Sequence, residues 1–316
     1  MVLVNGVKFN DAEFHNGEVI FEKPQLITKK VVAGAEDRCY NTIEMIFKDN
    51  RDITALVFAK EYLDDIAPGV PCILTMLYCP YERMDREINN QMFSMKYFAR
   101  ILAKMNFSKV EILDPHSKVC VEQLTEAGVK VEVLDLTKCV NKVIEDFQPD
   151  YICYPDKGAK TKYTEVLASI KIPCFYGSKK RDLANNGKII EYELVDAPDL
   201  TDKKVLIIDD ICCLGGTAYN AAVEMKKLGA KEVAFYISHC EDGIFVGKIL
   251  HPEACVTADA KEIVIGGTTY KPYTNTVEQL PWAGKYTIDK VYTADTLLLK
   301  DNHPNIKVIA PEVYFN

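Results

Sequence analysis

Two adjacent carboxylates, Asp209 and Asp210, directly follow the aliphatic run Val205, Leu206, Ile207 and Ile208, and Gly215-Gly216-Thr217 begins six residues after Asp209. A carboxylate pair can accept hydrogen bonds from two vicinal hydroxyls or hold a hydrated cation. A glycine-rich loop running into a helix offers main-chain donors and a positive dipole end to a phosphate. Cys213 and Leu214 complete that loop. The combination suits a polyol phosphate. Other charged groups fall where predicted strands end: Arg83, Asp85 and Arg86 beside Met84, His116 after Asp114-Pro115, and Asp156 two residues before Gly158. Lys179-Lys180-Arg181 could neutralise phosphate oxygens. Taken singly, His116 reads better as a satisfied polar residue at a loop and Lys179 to Arg181 as a solvated loop, while Arg83, Asp85 and Arg86 could be a solvated surface cluster.

The elements that must position these residues follow from patterning. Four aliphatics without alternation predict a strand buried on both faces of a parallel sheet, leaving the sheet at the acidic pair. Ala218, Ala221, Ala222, Met225 and Leu228 predict the following helix, with Gly229 as its terminating glycine. Upstream, strands are predicted at 2–4, 19–21, 53–58, 72–78, 110–113 and 131–136, and helices at 93–105 and 140–147. Downstream, strands are predicted at 151–154, 173–176, 232–238, 288–292 and 306–309, and a helix at 164–170. Residues 178–187 have the composition of a mobile loop. Strands alternating with helices in two successive blocks predict an α/β protein of two doubly wound parallel-sheet domains, 1–148 and 149–316, meeting at Gln148-Pro149. Open α/β sheets bind ligands at the edge where most of these charged residues fall.

A chain of 316 residues accommodates two domains, and 48% hydrophobic residues can build two cores. A net charge of -8 argues against non-specific nucleic-acid binding. The first residues show no secretory signal, and no apolar run reaches membrane-spanning length. Eleven cysteines scattered through predicted strands and helices read as reduced thiols, which implies a cytoplasmic protein.

The ordered set of motifs resembles the ribose-phosphate diphosphokinase (phosphoribosyl diphosphate, or PRPP, synthetase) family over almost the full length, as a divergent member. Phe14, Asn16, Gly17 and Glu18 match its Phe-x-Asn/Asp-Gly-Glu segment. Tyr81 to Arg86 match its ATP-contacting segment, and Asp114-Pro115-His116 its Asp-Leu-His. Pro155-Asp156 with Gly158 match a Pro-Asp-x-Gly step, and Lys179 to Arg181 the Lys-Arg-Arg of a flexible catalytic loop. The acidic pair and glycine loop match the PRPP motif that the family shares with type I phosphoribosyltransferases, whose fold it implies for both domains. The resemblance implies transfer of the β,γ-diphosphate of Mg-ATP to the C1 hydroxyl of a phosphorylated ribose, with release of AMP. It implies ATP contacts from Phe14, Asn16, Glu18, Arg83, Met84, Asp85 and His116, the first three reaching a neighbouring subunit. Asp209, Asp210, Cys213, Leu214, Gly215, Gly216 and Thr217 would bind the ribose and its phosphate. Lys179, Arg181 and His116 would be catalytic, and His116 and Asp156 would meet Mg²⁺. A homo-oligomer, dimer or hexamer, is implied, with neither nucleic acid nor membrane as partner.

The departures are local. The family's loop carries an acid and a hydroxyl in mid-loop, where this chain has Cys213 and Leu214, and Met84 replaces a usual glutamine. The loop change alters the 5-phosphate end, as a larger acceptor such as ADP-ribose would require. A phosphoribosyltransferase that consumes PRPP and a non-catalytic subunit that keeps the fold are the alternatives.

Overall fold

A computed structural model describes residues 1–9, 11–23, 40–182, 188–247, 249–250, 263–265, 268–270, 287–294, 297 and 306–309. The chain divides into two compact units, Met1–Asp135 and Leu136–Asn316.

The first unit runs β1 (Val2–Val4), β2 (Val7–Lys8), β3 (Asp11–Glu13), β4 (Val19–Phe21), β5 (Asn41–Met45), α1 (Asn50–Ile66), β6 (Cys72–Thr75), α2 (Ser94–Lys104), β7 (Lys109–Leu113), α3 (Lys118–Glu126) and β8 (Val131–Leu134). Its sheet has the order β2-β1-β5-β6-β7-β8. The strands from β5 to β8 are parallel, with β1 and β2 added antiparallel at one edge. Hairpin β3–β4 stands apart and packs through Phe21, whose ring lies 5.0 Å from that of Phe9 and 5.2 Å from that of Phe58. The core joins Ile43, Met45, Leu74, Val110 and Ile112 of the sheet to Leu56, Leu63, Phe98, Leu102 and Leu124 of the helices.

Residues 53–58, expected as a strand, lie inside α1. The Asp49 carboxylate accepts a hydrogen bond from Arg51 N at 2.8 Å, while Asp52 accepts one from Asp49 N at 3.4 Å, closing a capping box. From there Ala55, Leu56, Ala59 and Leu63 bury one helical face, so packing overrides the strand preference of Ile, Thr, Val and Phe. β5 and α3 had no counterpart among the expected elements, and β6 stops at Thr75 rather than 78.

The second unit runs α4 (Thr137–Phe147), β9 (Tyr151–Tyr154), α5 (Lys157–Val166), β10 (Cys174–Asp182), β11 (Lys188–Val195), β12 (Lys204–Cys212), α6 (Gly216–Lys227), β13 (Glu232–Cys240), a 3-10 helix (Asp242–Val246), β14 (Ile263–Ile265), β15 (Thr268–Tyr270), β16 (Lys290–Ala294) and β17 (Ile306–Ile309). The sheet order is β11-β10-β9-β12-β13-β16-β17, all parallel except β11. β14 and β15 form a separate antiparallel pair. α4 belongs to this unit, so the division falls at Asp135 and not at Gln148-Pro149. Asp146 of α4 accepts hydrogen bonds from Tyr292 Oη at 2.6 Å and Lys307 Nζ at 2.8 Å, and Phe147 O accepts one from Lys204 Nζ at 3.1 Å. These contacts tie α4 to β12, β16 and β17.

Three further expectations change. α5 starts at Lys157 and ends at Val166, where a helix over 164–170 was expected, because the Asp156 side chain caps it. Residues 178–182 are not a loop: they continue β10 and pair with β11 from Ser178↔Glu193 to Asp182↔Lys188, with a register shift between Lys180 and Arg181. Residues 183–187 lie outside the described residues. β12 does not end at the acidic pair either, but runs on to Cys212 beside β13. Its four aliphatics are each buried, Val205 and Ile207 in the core beneath α6 with Phe235 and Ile237. No disulfide joins the nine described cysteines, and among the described residues no helix is long and apolar enough to cross a membrane.

Candidate active site

In the second unit, β9 pairs with β12 only from Val205 to Ile207, whereas β13 follows β12 to Cys212. Asp209 and Asp210 therefore sit where β12 has lost its neighbour on one side but keeps it on the other. Asp210 is buried and Asp209 partly so. Asp210 N donates to Asp209 Oδ1 at 3.0 Å. Burial pushes the Asp209 carboxyl well above the usual carboxylate range, and the charges of Asp210 and Asp156 push it the same way. A hydroxyl donating to Asp209 would relieve that penalty, which is the property a sugar-diol acceptor site needs.

β9 delivers Asp156 to the same place. After Tyr154, Pro155 breaks the strand and Asp156, in extended backbone, caps α5: its Oδ1 accepts from Ala159 N at 2.9 Å. Asp156 Oδ2 accepts from Lys179 Nζ of β10 at 2.5 Å. Burial raises the Asp156 pKa, but the hydrogen bonds and charge of Lys179 and the α5 amides outweigh it, and the net shift is downward. Lys162 of α5 stands 3.8 Å from Asp210 Oδ2. Tyr192 of β11 donates to Pro155 O at 2.9 Å, and burial raises its hydroxyl pKa. Three carboxylates and two ammonium groups thus converge from β9, α5, β10 and β12. Sequence reasoning named Asp156, Lys179, Asp209 and Asp210 but missed Lys162 and Tyr192. Neither belongs to a motif, and only the packing of α5 and β11 against the site brings them in. Of Arg181, the register position opposite Ile189 is described.

The phosphate-type loop follows. Cys213 is exposed and Leu214 half-buried. Gly215 has φ 73°, the left-handed region, and a side chain there would also strike Ile249 Cδ1 at 2.3 Å. α6 then starts at Gly216 with no side-chain cap, and Thr217 lies in its first turn.

In the first unit, the segment after β6 folds against the segment after β7. Glu82, fully buried, accepts from His116 N at 3.2 Å. Asp85, also buried, accepts from Ser117 Oγ at 2.9 Å and from Arg86 Nε at 2.7 Å. Burial raises the Asp85 pKa, but the bonds from Arg86 and Ser117 and the neighbouring His116 bring it below the usual value. Asp85 and His116, both expected at an ATP site, are therefore neighbours. Glu82 and Ser117 were missed as the links between the two loops. Arg83 and Met84 are exposed on the same segment. Phe14, Asn16, Gly17 and Glu18 form the tip of hairpin β3–β4. Gly17 N donates to Phe14 O at 2.9 Å, Asn16 Nδ2 to Glu18 Oε2 at 2.8 Å and Glu18 N to Asn16 Oδ1 at 3.1 Å. Phe14 itself is 54% exposed. Among the described residues, no three His, Cys, Asp or Glu side chains are grouped to hold a metal alone. Mg²⁺ needs no such group, since it takes one or two carboxylates, keeps its waters and binds substrate phosphates.

No protein-family model matches the chain. The ribose-phosphate pyrophosphokinase of Saccharolobus solfataricus is 26% identical over 240 residues, 74% of this chain and 76% of that protein. That of Sulfurisphaera tokodaii is 23% identical over 281 residues, 87% of this chain and 86% of the relative. That of Campylobacter jejuni is 22% identical over 305 residues, 94% of this chain and 82% of the relative. Among solved structures, the phosphoribosylpyrophosphate synthetase of Mycobacterium smegmatis shares the fold with a TM-score of 0.65 at 16% identity, covering 96% of this chain and 86% of that one. The chain is thus similar over most of its length to several proteins named ribose-phosphate pyrophosphokinase, and it has the fold of a phosphoribosylpyrophosphate synthetase.

Proposed function

We propose that the protein is a diphosphokinase that transfers the β,γ-diphosphate of Mg-ATP to the C1 hydroxyl of ribose 5-phosphate or of a larger 5-phosphoribosyl acceptor such as ADP-ribose. The bond formed joins the C1 oxygen to the β-phosphorus, the bond broken is that to the α,β-bridging oxygen, and AMP leaves. The observation that carries this reading is the convergence of the Asp209–Asp210 pair with the Asp156–Lys179 ion pair at one edge of the second unit's sheet. Asp209 and Asp210 accept hydrogen bonds from the ribose 2- and 3-hydroxyls. The amides around Gly215, Gly216 and Thr217 take the 5-phosphate. Such catalysis rests on positioning and on neutralising phosphate charge. Lys179, now on Asp156, supplies that neutralisation by turning to the transferring phosphates, with Arg181 acting beside it.

In the first unit, Arg83, Asp85 and His116 contact ATP beside Met84, and Phe14, Asn16 and Glu18 reach the ATP of a neighbouring copy. Mg²⁺, when bound, screens the triphosphate charge. Asp156, a partly exposed carboxylate, and His116, beside Asp85, are each proposed to meet it in their own unit. Incubation with Mg-ATP and a panel of phosphorylated riboses, scored for AMP, tests the reading. AMP formed only in the presence of one acceptor supports it, and absence of AMP with every acceptor overturns it.

A further inference from the structure

The loop that follows β12 is walled by the 3-10 helix and the residues just after it. A methyl group on Gly247 would sit 2.2 Å from the Leu214 carbonyl oxygen and 2.9 Å from its carbon. One on Gly243 would sit 2.8 Å from the Cys213 oxygen and 3.1 Å from its carbon. Neither glycine has a positive φ, so space and not backbone conformation excludes a side chain. In both cases the oxygen is the nearest atom, so two consecutive carbonyls of the loop are turned toward the wall. A trans peptide directs its N–H opposite to its C=O. The amides of Leu214 and Gly215 are therefore turned away from the wall.

We propose that Gly243 and Gly247 are positioning residues for the acceptor's phosphate: by receiving the Cys213 and Leu214 carbonyls, they hold the loop so that the Leu214 and Gly215 amides face the ligand. This rests on the reading that the loop binds a 5-phosphate. It assigns to main-chain donors the work of the mid-loop hydroxyl that this sequence lacks, and it places the fixing of those donors in a segment no phosphate motif includes. A methyl at 247 must shift the two backbones apart, because no flexible side chain lies between them to yield, and the Leu214 peptide is one of the two.

The test uses full-length protein with Gly247→Ala and Gly243→Ala, calorimetric titration with ribose 5-phosphate and with ADP-ribose in the absence of ATP, and initial rates of AMP release. Gly247→Ala is expected to raise the acceptor's Kd and KM at least tenfold, and Gly243→Ala to raise them less. KM for ATP should stay within twofold. A merely structural role would lower kcat through loss of folded enzyme and leave both KM values and the Kd unchanged, and that result overturns the inference. If Gly247→Ala does not fold, Gly243→Ala decides alone by the same comparison. If wild type binds an acceptor but forms no AMP, the diphosphokinase reading fails while the Kd comparison still judges the glycines. If wild type binds neither acceptor, both fall.

Discussion

Lys179 bonds Asp156 and is proposed to meet the transferring phosphates as well, and pH separates the two. Its ammonium bonds Asp156 at 2.5 Å with both side chains mostly shielded, which lowers the Asp156 pKa despite burial. A depressed carboxylate pKa stabilises the fold above the unfolded value, about 3.9, and that contribution is lost as pH falls through the depressed value. Lys179→Met should therefore cost about 1 kcal/mol at pH 7, with the difference from wild type shrinking as the pH approaches 3. Urea unfolding at three pH values measures this, and a pH-independent difference would show that the ion pair is not its source. Turnover should fall far more, by on the order of 10³-fold, as for other cations that neutralise a transferring phosphoryl group. A residual kcat above a tenth of wild type would remove Lys179 from the chemistry. Leu214 carries a second expectation. A hydroxyl bonded to a charged phosphate is worth roughly 1.5–3 kcal/mol, and Leu214 cannot supply one. Leu214→Thr should shift kcat/KM toward ribose 5-phosphate relative to ADP-ribose by tenfold or more. A wild type that already prefers ribose 5-phosphate a hundredfold would contradict the larger acceptor.

At the scale of elements, the sequence was legible where one force dominates. The aliphatic run before Asp209 suits a doubly buried strand and forms one, and Gly229 ends α6 with φ 88°, as its pattern requires. It was illegible where pairing or capping decides. α1 hides behind β-branched residues because its start signal is a side-chain cap, Asp49 with Asp52. Residues 178–182 look like a loop by composition, but at the sheet's outer hairpin β11 supplies the ladder that makes them a strand. That hairpin matters to the site, since it carries Lys179 and, through Tyr192, bonds the carbonyl of Pro155, the residue before Asp156. Gly177 makes the approach possible: a side chain there would meet Tyr192 Oη at 1.9 Å and Pro155 O at 2.8 Å. Gly177→Ala should cost about 1–3 kcal/mol as overpacking. Tyr192→Phe, which loses one hydrogen bond, should cost about 1 kcal/mol. Chemical denaturation of both variants orders them, and a neutral Gly177→Ala would show that the two strands separate more easily than their packing implies.

For the whole molecule, the proposed assembly would run through the exposed hairpin of the first unit. Its tip is preformed by the Phe14, Asn16 and Glu18 hydrogen bonds, and it is anchored by Phe21 against Phe9 and Phe58 and by Arg51 on Glu13 at 2.8 Å. A tip presenting Phe14 at 54% exposure, with Ile20 at 46% on the same hairpin, leaves apolar surface in water that a second copy could cover. Full burial of such a side chain is worth roughly 1.5–3 kcal/mol. The active protein should therefore sediment as an oligomer, and its specific activity should fall on dilution as the oligomer dissociates. Phe14→Ala should raise the concentration at which that fall occurs by tenfold or more, because two or more symmetric contacts each lose the same group. If the same tip meets a neighbour's ATP, the variant's KM for ATP should also rise at protein concentrations where it is still assembled. Stable sedimentation as a monomer with full, concentration-independent activity would exclude any part for the hairpin in a neighbour's site.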